Sequence, residues 1–127
     1  MEKVHFILYV RNQQESMAFY SYLLQKQPVL NVPGMTEFDL NDGAKLGLMP
    51  EAGIAKIIGD KLPHPAGGNG IPRCELYLMV ENPNQYYQRA IERGGRPVSV
   101  VQKRDWGHTV GYVSDPDGHV LAFAKAE

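Results

Sequence analysis

From Val4 to Val10 apolar and polar positions alternate, placing His5, Ile7 and Tyr9 on one face of a half-buried strand. Asn12 then reads as a helix N-cap with Glu15 at the third helical position, a capping box. Phe19, Tyr20, Leu23 and Leu24 follow at helical spacing, and Gln27, the residue before Pro28, is expected to end the helix. Residues 29–32, 35–40 and 45–49 read as three strands, with turns at Pro33-Gly34 and Asp42-Gly43.

The same order then returns. Residues 75–80 alternate as a strand, Asn82 is a cap, and Pro83 stands at the first helical position, where its missing N–H costs nothing. Tyr86, Tyr87, Ala90 and Ile91 form an apolar stripe, and Gly94-Gly95 stops the helix. Strands are predicted at 97–102, 108–114 and 119–124, the last two joined by the Asp115-Pro116-Asp117-Gly118 turn. NDGAKLGL at 41–48 also matches PDGHVLAF at 116–123. The repeat places His5 opposite Glu75 and Gly47 opposite Ala122.

The pattern is βαβββ twice, an α+β chain. Neither copy is large enough to close a core alone, so the expectation is one domain over 1–127 with an open, barrel-like sheet around a pocket. Module one covers about 1–50, a linker 51–72, and module two about 73–127. The linker is long for a plain connector and carries a helical-looking GIAKIIGDKL.

Composition narrows the function classes. A net charge of −1 gives no electrostatic reason to expect nucleic acid or an acidic membrane as partner. One cysteine, Cys74, excludes an internal disulfide and fits a reducing compartment. The opening MEKVHFILYV has too short an apolar run for a signal peptide, and no stretch approaches a membrane span. The expectation is a cytoplasmic protein.

Two segments carry a family resemblance. The first runs from His5 to Asn12 with Phe19-Tyr20 on the helix behind it. The second is GYVSDPDGH at 111–119, preceded by RDWG at 104–107. Together they make the chain resemble the vicinal oxygen chelate superfamily, which includes glyoxalase I, extradiol dioxygenases and the fosfomycin- and bleomycin-resistance proteins. The resemblance implies a metal held by one side chain from the first and one from the last strand of each module. Those positions are His5, Glu75, Gly47 and Ala122 here, and the last two offer no donor atom. No metal or other cofactor is therefore expected; the alternative is a divalent metal whose only protein candidates are His5 and Glu75. The resemblance further implies a homodimer.

Glu75 shares its strand face with Tyr77 and Met79, where a carboxylate is costly unless paired or wet. The repeat offers His5 as partner, so Glu75 and His5 are the candidate acid–base pair. Tyr9 and Tyr77 are read as pocket residues with their hydroxyls at its mouth, and Gly47 and Ala122 as pocket wall. Trp106 is a candidate for the rim beside His108, a mix suited to an anionic or aromatic small molecule, whereas Arg104 and Asp105 read as solvated loop. PAGGNG at 65–70 lacks the lysine and helix of a phosphate loop, and Cys74 lacks catalytic spacing to a histidine. Two functions follow: a small-molecule binding protein with an incomplete metal site, or an enzyme. The enzyme would be a metal-dependent lyase, a dioxygenase-like protein, or a metal-free acid–base catalyst using Glu75 and His5.

Overall fold

Strand alternation and caps build the elements in the expected order. The structure, a computed structural model, describes residues 1–127. Strand β1 (Val4–Val10) leads to helix α1 (Gln13–Leu24), then β2 (Leu30–Val32), β3 (Met35–Asn41) and β4 (Ala44–Pro50). Helix α2 (Glu51–Ile58) and a single 3-10 turn (Pro65–Gly68) occupy most of the expected linker. The second half holds β5 (Glu75–Met79), α3 (Pro83–Glu92), β6 (Arg96–Lys103), β7 (His108–Ser114) and β8 (Val120–Ala126). No helix is long and apolar enough to cross a membrane.

The strands form two open four-stranded sheets, ordered β1-β4-β3-β2 and β5-β8-β7-β6. In each, the first strand pairs parallel with the last and the other pairings are antiparallel. The βαβββ repeat is thus present in the hydrogen bonding as well as the sequence. The chain divides into two compact units, one of residues 1–21 and 25–69, the other of 22–24 and 70–127.

In the first unit, one face of the sheet buries Phe38, Leu46 and Leu48. The Phe19 and Tyr20 rings meet edge to face, 5.0 Å apart at 80°. Asn12 Oδ1 accepts from the Glu15 N–H at 2.9 Å, the cap the sequence called for. Gln13 clamps the β2–β3 turn: its Nε2 donates to the Val32 carbonyl (2.8 Å) and Thr36 Oγ1 (2.9 Å), and its Oε1 accepts from the Gly34 N–H. Helix α1 stops at Leu24, before Gln27, because Gln25 turns left-handed at φ 54°. Helix α2 starts at Glu51, two residues ahead of the Gly53 expected from the sequence.

In the second unit, Leu76, Val113, Leu121 and Phe123 form the apolar layer beside α3, whose Ala90 is fully buried and whose Tyr86 ring lies 5.6 Å from Phe123. Asn82 caps α3 by accepting from the Gln85 N–H. The β7–β8 turn is built around buried Asp115, whose Oδ1 accepts from the Asp117 N–H (2.9 Å) and the His119 N–H (2.8 Å). Gly118 completes it at φ 93°, where a Cβ would lie only 2.8 Å from the Gly70 carbonyl oxygen. That turn sets the register of β7 against β8, which positions the side chains described next.

Candidate ligand-binding face

The tight 115–118 turn pairs Ser114 with Val120, Tyr112 with Ala122, Val110 with Ala124, and His108 with Ala126. Parallel pairing with β5 extends the same rows to Glu75, Tyr77 and Met79. One sheet face therefore carries Glu75, Tyr77, Tyr112 and His108 around a floor of small residues. Val110, Ala122 and Ala124 form that buried floor, and Tyr77 and Tyr112 pack on it. The two alanines leave Tyr77 room to lie along the sheet, and its hydroxyl meets His108 Nδ1 at 2.7 Å. Trp106, from the β6–β7 turn, donates its indole N–H to the same hydroxyl at 3.0 Å. The indole can only donate in its contact, whereas the Tyr77–His108 bond runs in either direction according to the imidazole tautomer.

Arg104 is a half-buried structural cation, not the solvated loop residue its sequence context suggested. Its guanidinium donates to Ser99 Oγ (2.9 Å) and to the carbonyls of Val100 (2.9 Å) and Val110 (3.0 Å), and lies 5.2 Å over the Tyr112 ring. Asp105 is exposed, as expected. The Tyr112 hydroxyl is pushed above the usual tyrosine value, first by burial and then by the negative Glu75, with Arg104 opposing. Glu75 is exposed, and no Lys, Arg or His side chain of its own unit comes within ion-pair distance of its carboxylate.

The first sheet presents a different face. His5, Lys45 and Asp39 form one row, and Ile7, Gly47 and Glu37 the next. His5 Nδ1 stands 3.8 Å from Glu37 Oε2, while Lys45 Nζ lies 3.9 Å from Glu37 and 3.3 Å from Asp39. Glu37 is thus the carboxylate beside His5 within this unit. Gly47 is buried, and a Cβ there would come within 2.5 Å of Ile7 Cδ1 and 3.2 Å of Met35 Sδ, so neighbouring apolar groups occupy its side-chain space. Tyr9 is partly exposed at the end of β1.

This donor set does not fit the metal that the resemblance implies. Gly47 and Ala122 have no ligating atom; Ile7 and Met35 crowd the first, and the second is fully buried where Tyr77 and Tyr112 pack. No three His, Cys, Asp or Glu side chains come together as a metal would need. Tyr112, Glu37 and Lys45 escaped the sequence reading. The Asp-Pro-Asp-Gly turn was the available signal for Tyr112, since counting back from it places Tyr112 opposite Ala122.

Comparison with known proteins agrees with this architecture. Residues 4–123 match the family model for the Glyoxalase/Bleomycin resistance protein/Dioxygenase superfamily. Among solved structures, a glyoxalase-related enzyme from Fulvimarina pelagi superposes with a TM-score of 0.82 at 22% identity, covering 98% of this chain and 88% of that one. A glyoxalase/bleomycin resistance protein/dioxygenase family enzyme from Burkholderia phytofirmans PsJN gives 0.81 at 13% identity, over 97% of both chains. An Agrobacterium tumefaciens protein solved by solution NMR gives 0.73 at 28% identity, over 100% of this chain and 98% of its own. An uncharacterized Mycobacterium bovis protein is 28% identical over 74 residues, which is 53% of this chain and 49% of that protein. The chain therefore spans about half the length of that curated relative.

Proposed function

The chain belongs to the Glyoxalase/Bleomycin resistance protein/Dioxygenase superfamily, and we propose that it binds a small organic molecule on the second-sheet face without a resident metal. The observation that carries this reading is the packing at Ala122. Where the family pattern calls for a donor, the chain has a fully buried methyl group with Tyr77 and Tyr112 packed on the surrounding floor. Exchanging a metal ligand for an aromatic surface replaces coordination with stacking and hydrogen bonding as the means of holding a ligand. The Trp106–Tyr77–His108 chain orients that surface through 3.0 and 2.7 Å contacts.

The same reading takes the working species as a homodimer. Strand β6 is a sheet edge whose Val98 and Val100 are more than half exposed, the kind of edge a second copy would cover. Sedimentation at micromolar concentration should give a dimer, and a monomer would remove this part.

The central test is metal analysis of protein purified without chelator, together with thermal unfolding with and without EDTA. Metal content far below one equivalent and an unchanged transition are expected. Near-stoichiometric Zn, Ni, Mn or Fe that disappears in His5→Ala would overturn the proposal.

A further inference from the structure

We infer that the second-sheet face recognises a neutral carboxamide-like group, a carbonyl with an N–H beside it, held over Ala122 between the Tyr112 hydroxyl and the Glu75 carboxylate. The inference deepens the binding reading above and rests on it.

The β8 strand sets this geometry. Tyr77 on β5 and Tyr112 on β7 flank Ala122 in one row, and two strand spacings put their backbones about 10 Å apart. Only the alanine methyl stands between them, on the floor where both rings pack. Glu75 lies in the next row of the same face, with Val120 and Ser114. The Tyr77 hydroxyl is engaged in the other direction, where it meets His108 and Trp106. The Tyr112 hydroxyl and the Glu75 carboxylate differ from it: neither has a hydrogen-bond partner in its own unit, and both remain open to solvent. The two also sense each other, since the negative Glu75 is second only to burial in holding the proton on Tyr112. Tyr112 is therefore a donor through the neutral range, and Glu75 is an acceptor beside it. Arg104 rests on the Tyr112 ring, 5.2 Å from its centroid, with a charge opposite to that of Glu75. An anion over Ala122 would meet Glu75 as a like charge, and a cation would meet Arg104. A neutral amide dipole suits both, with its N–H toward Glu75 and its carbonyl toward Tyr112.

The probes are benzamide, methyl benzoate, benzoate and benzylammonium, which share a ring and differ in the group it carries. Each is titrated into isotope-labelled protein and followed by backbone amide NMR shifts, which also report where it binds and whether each variant is folded. Benzamide should bind about tenfold tighter than methyl benzoate, the loss expected for one hydrogen bond to a carboxylate, with shifts centred on Ala122. Benzoate should bind more weakly still. Benzylammonium gains only an exposed ion pair and offers Tyr112 no acceptor, so it should bind below benzamide. Glu75→Ala, at an exposed position, should bring benzamide down to the ester and leave the ester unchanged. Tyr112→Phe, which keeps the ring that Arg104 rests on, should weaken amide and ester alike. An ester, acid or cation that binds as tightly as benzamide, or an amide preference that survives Glu75→Ala, would overturn the inference and leave the binding reading standing. Shifts centred away from this sheet face, or none with any probe, would overturn both. Binding that disappears on chelation would overturn the metal-free reading alone.

Discussion

Replacing Tyr77 by Phe removes one oxygen and two hydrogen bonds while keeping the ring. The lost contacts are the 3.0 Å bond from the Trp106 indole and the 2.7 Å bond to His108 Nδ1. The remaining phenyl group still packs on Val110, Ala122 and Ala124, so no cavity cost is added. A net hydrogen bond is worth about 0.5–1.5 kcal/mol. The indole bond belongs at the low end, because Trp106 is 55% exposed and its N–H regains water. The bond to the half-buried His108 belongs nearer the middle, giving a total of about 1–2 kcal/mol. Urea unfolding followed by Trp106 emission would measure it, as a lower midpoint at unchanged slope. His108→Ala and the double variant complete a cycle in which the two substitutions should be clearly non-additive. Acrylamide should also quench Trp106 more readily in Tyr77→Phe. A stability unchanged within a few tenths of a kcal/mol, with additive single effects, would refute the idea that the three side chains act as one unit.

Asp115→Ala should destabilise the protein by at least about 2 kcal/mol, since two N–H groups lose a buried carboxylate acceptor; denaturant unfolding checks it. Gly118→Ala should cost more than about 1 kcal/mol, because φ 93° disfavours a side chain and the added carbon would strike the Gly70 carbonyl; a shift in unfolding midpoint is the readout. Spectrophotometric titration should show a tyrosine ionising above the usual 10.0, with Glu75→Gln lowering Tyr112 part of the way and burial sustaining the rest. The raised folded-state value means the Tyr112 contribution to stability is complete below the unfolded value of 10.0 and is lost as pH rises through the folded one, so alkaline unfolding should follow that ionisation.

The fold was largely legible because its strands declare themselves by alternation and its helices by their caps. The limits of β1 and β7 and the start of α3 at Pro83 coincide with the sequence reading. The end of α1 does not, because Pro28 marks only where a helix can no longer continue, and Gln25 adopts a left-handed conformation that glutamine does not advertise. Helix α2 was legible as the helical-looking run within the linker; only its bounds differ, starting at Glu51 and ending at Ile58, with none of its residues fully buried. At the candidate site, residue types were readable and partnerships were not. Tyr77, Trp106 and His108 were each named, yet their joining depends on a register spanning β5, β8 and β7. Within the first sheet His5 has Glu37 beside it, which the β3–β4 ladder brings into the adjacent row and the repeat did not indicate. Symmetry of the repeat locates equivalent strands, whereas neighbours inside a sheet follow from its own ladders.

The tyrosines packed around Ala122 also constrain which mutational paths are open to the chain. A single substitution placing a carboxylate at that position would add three heavy atoms as aspartate, or four as glutamate, with a charge, to a fully buried spot bordered by Tyr77 and Tyr112. It would overpack the floor and strand a charge without solvent, each a recognised cause of large destabilisation. A donor at 122 therefore requires the aromatic cover to shrink as well, and the intermediate with the cover gone loses the Trp106–Tyr77–His108 chain first. Any mutational route toward a ligating side chain at 122 passes through a less stable protein without an intact aromatic surface, a step that selection acting one substitution at a time disfavours.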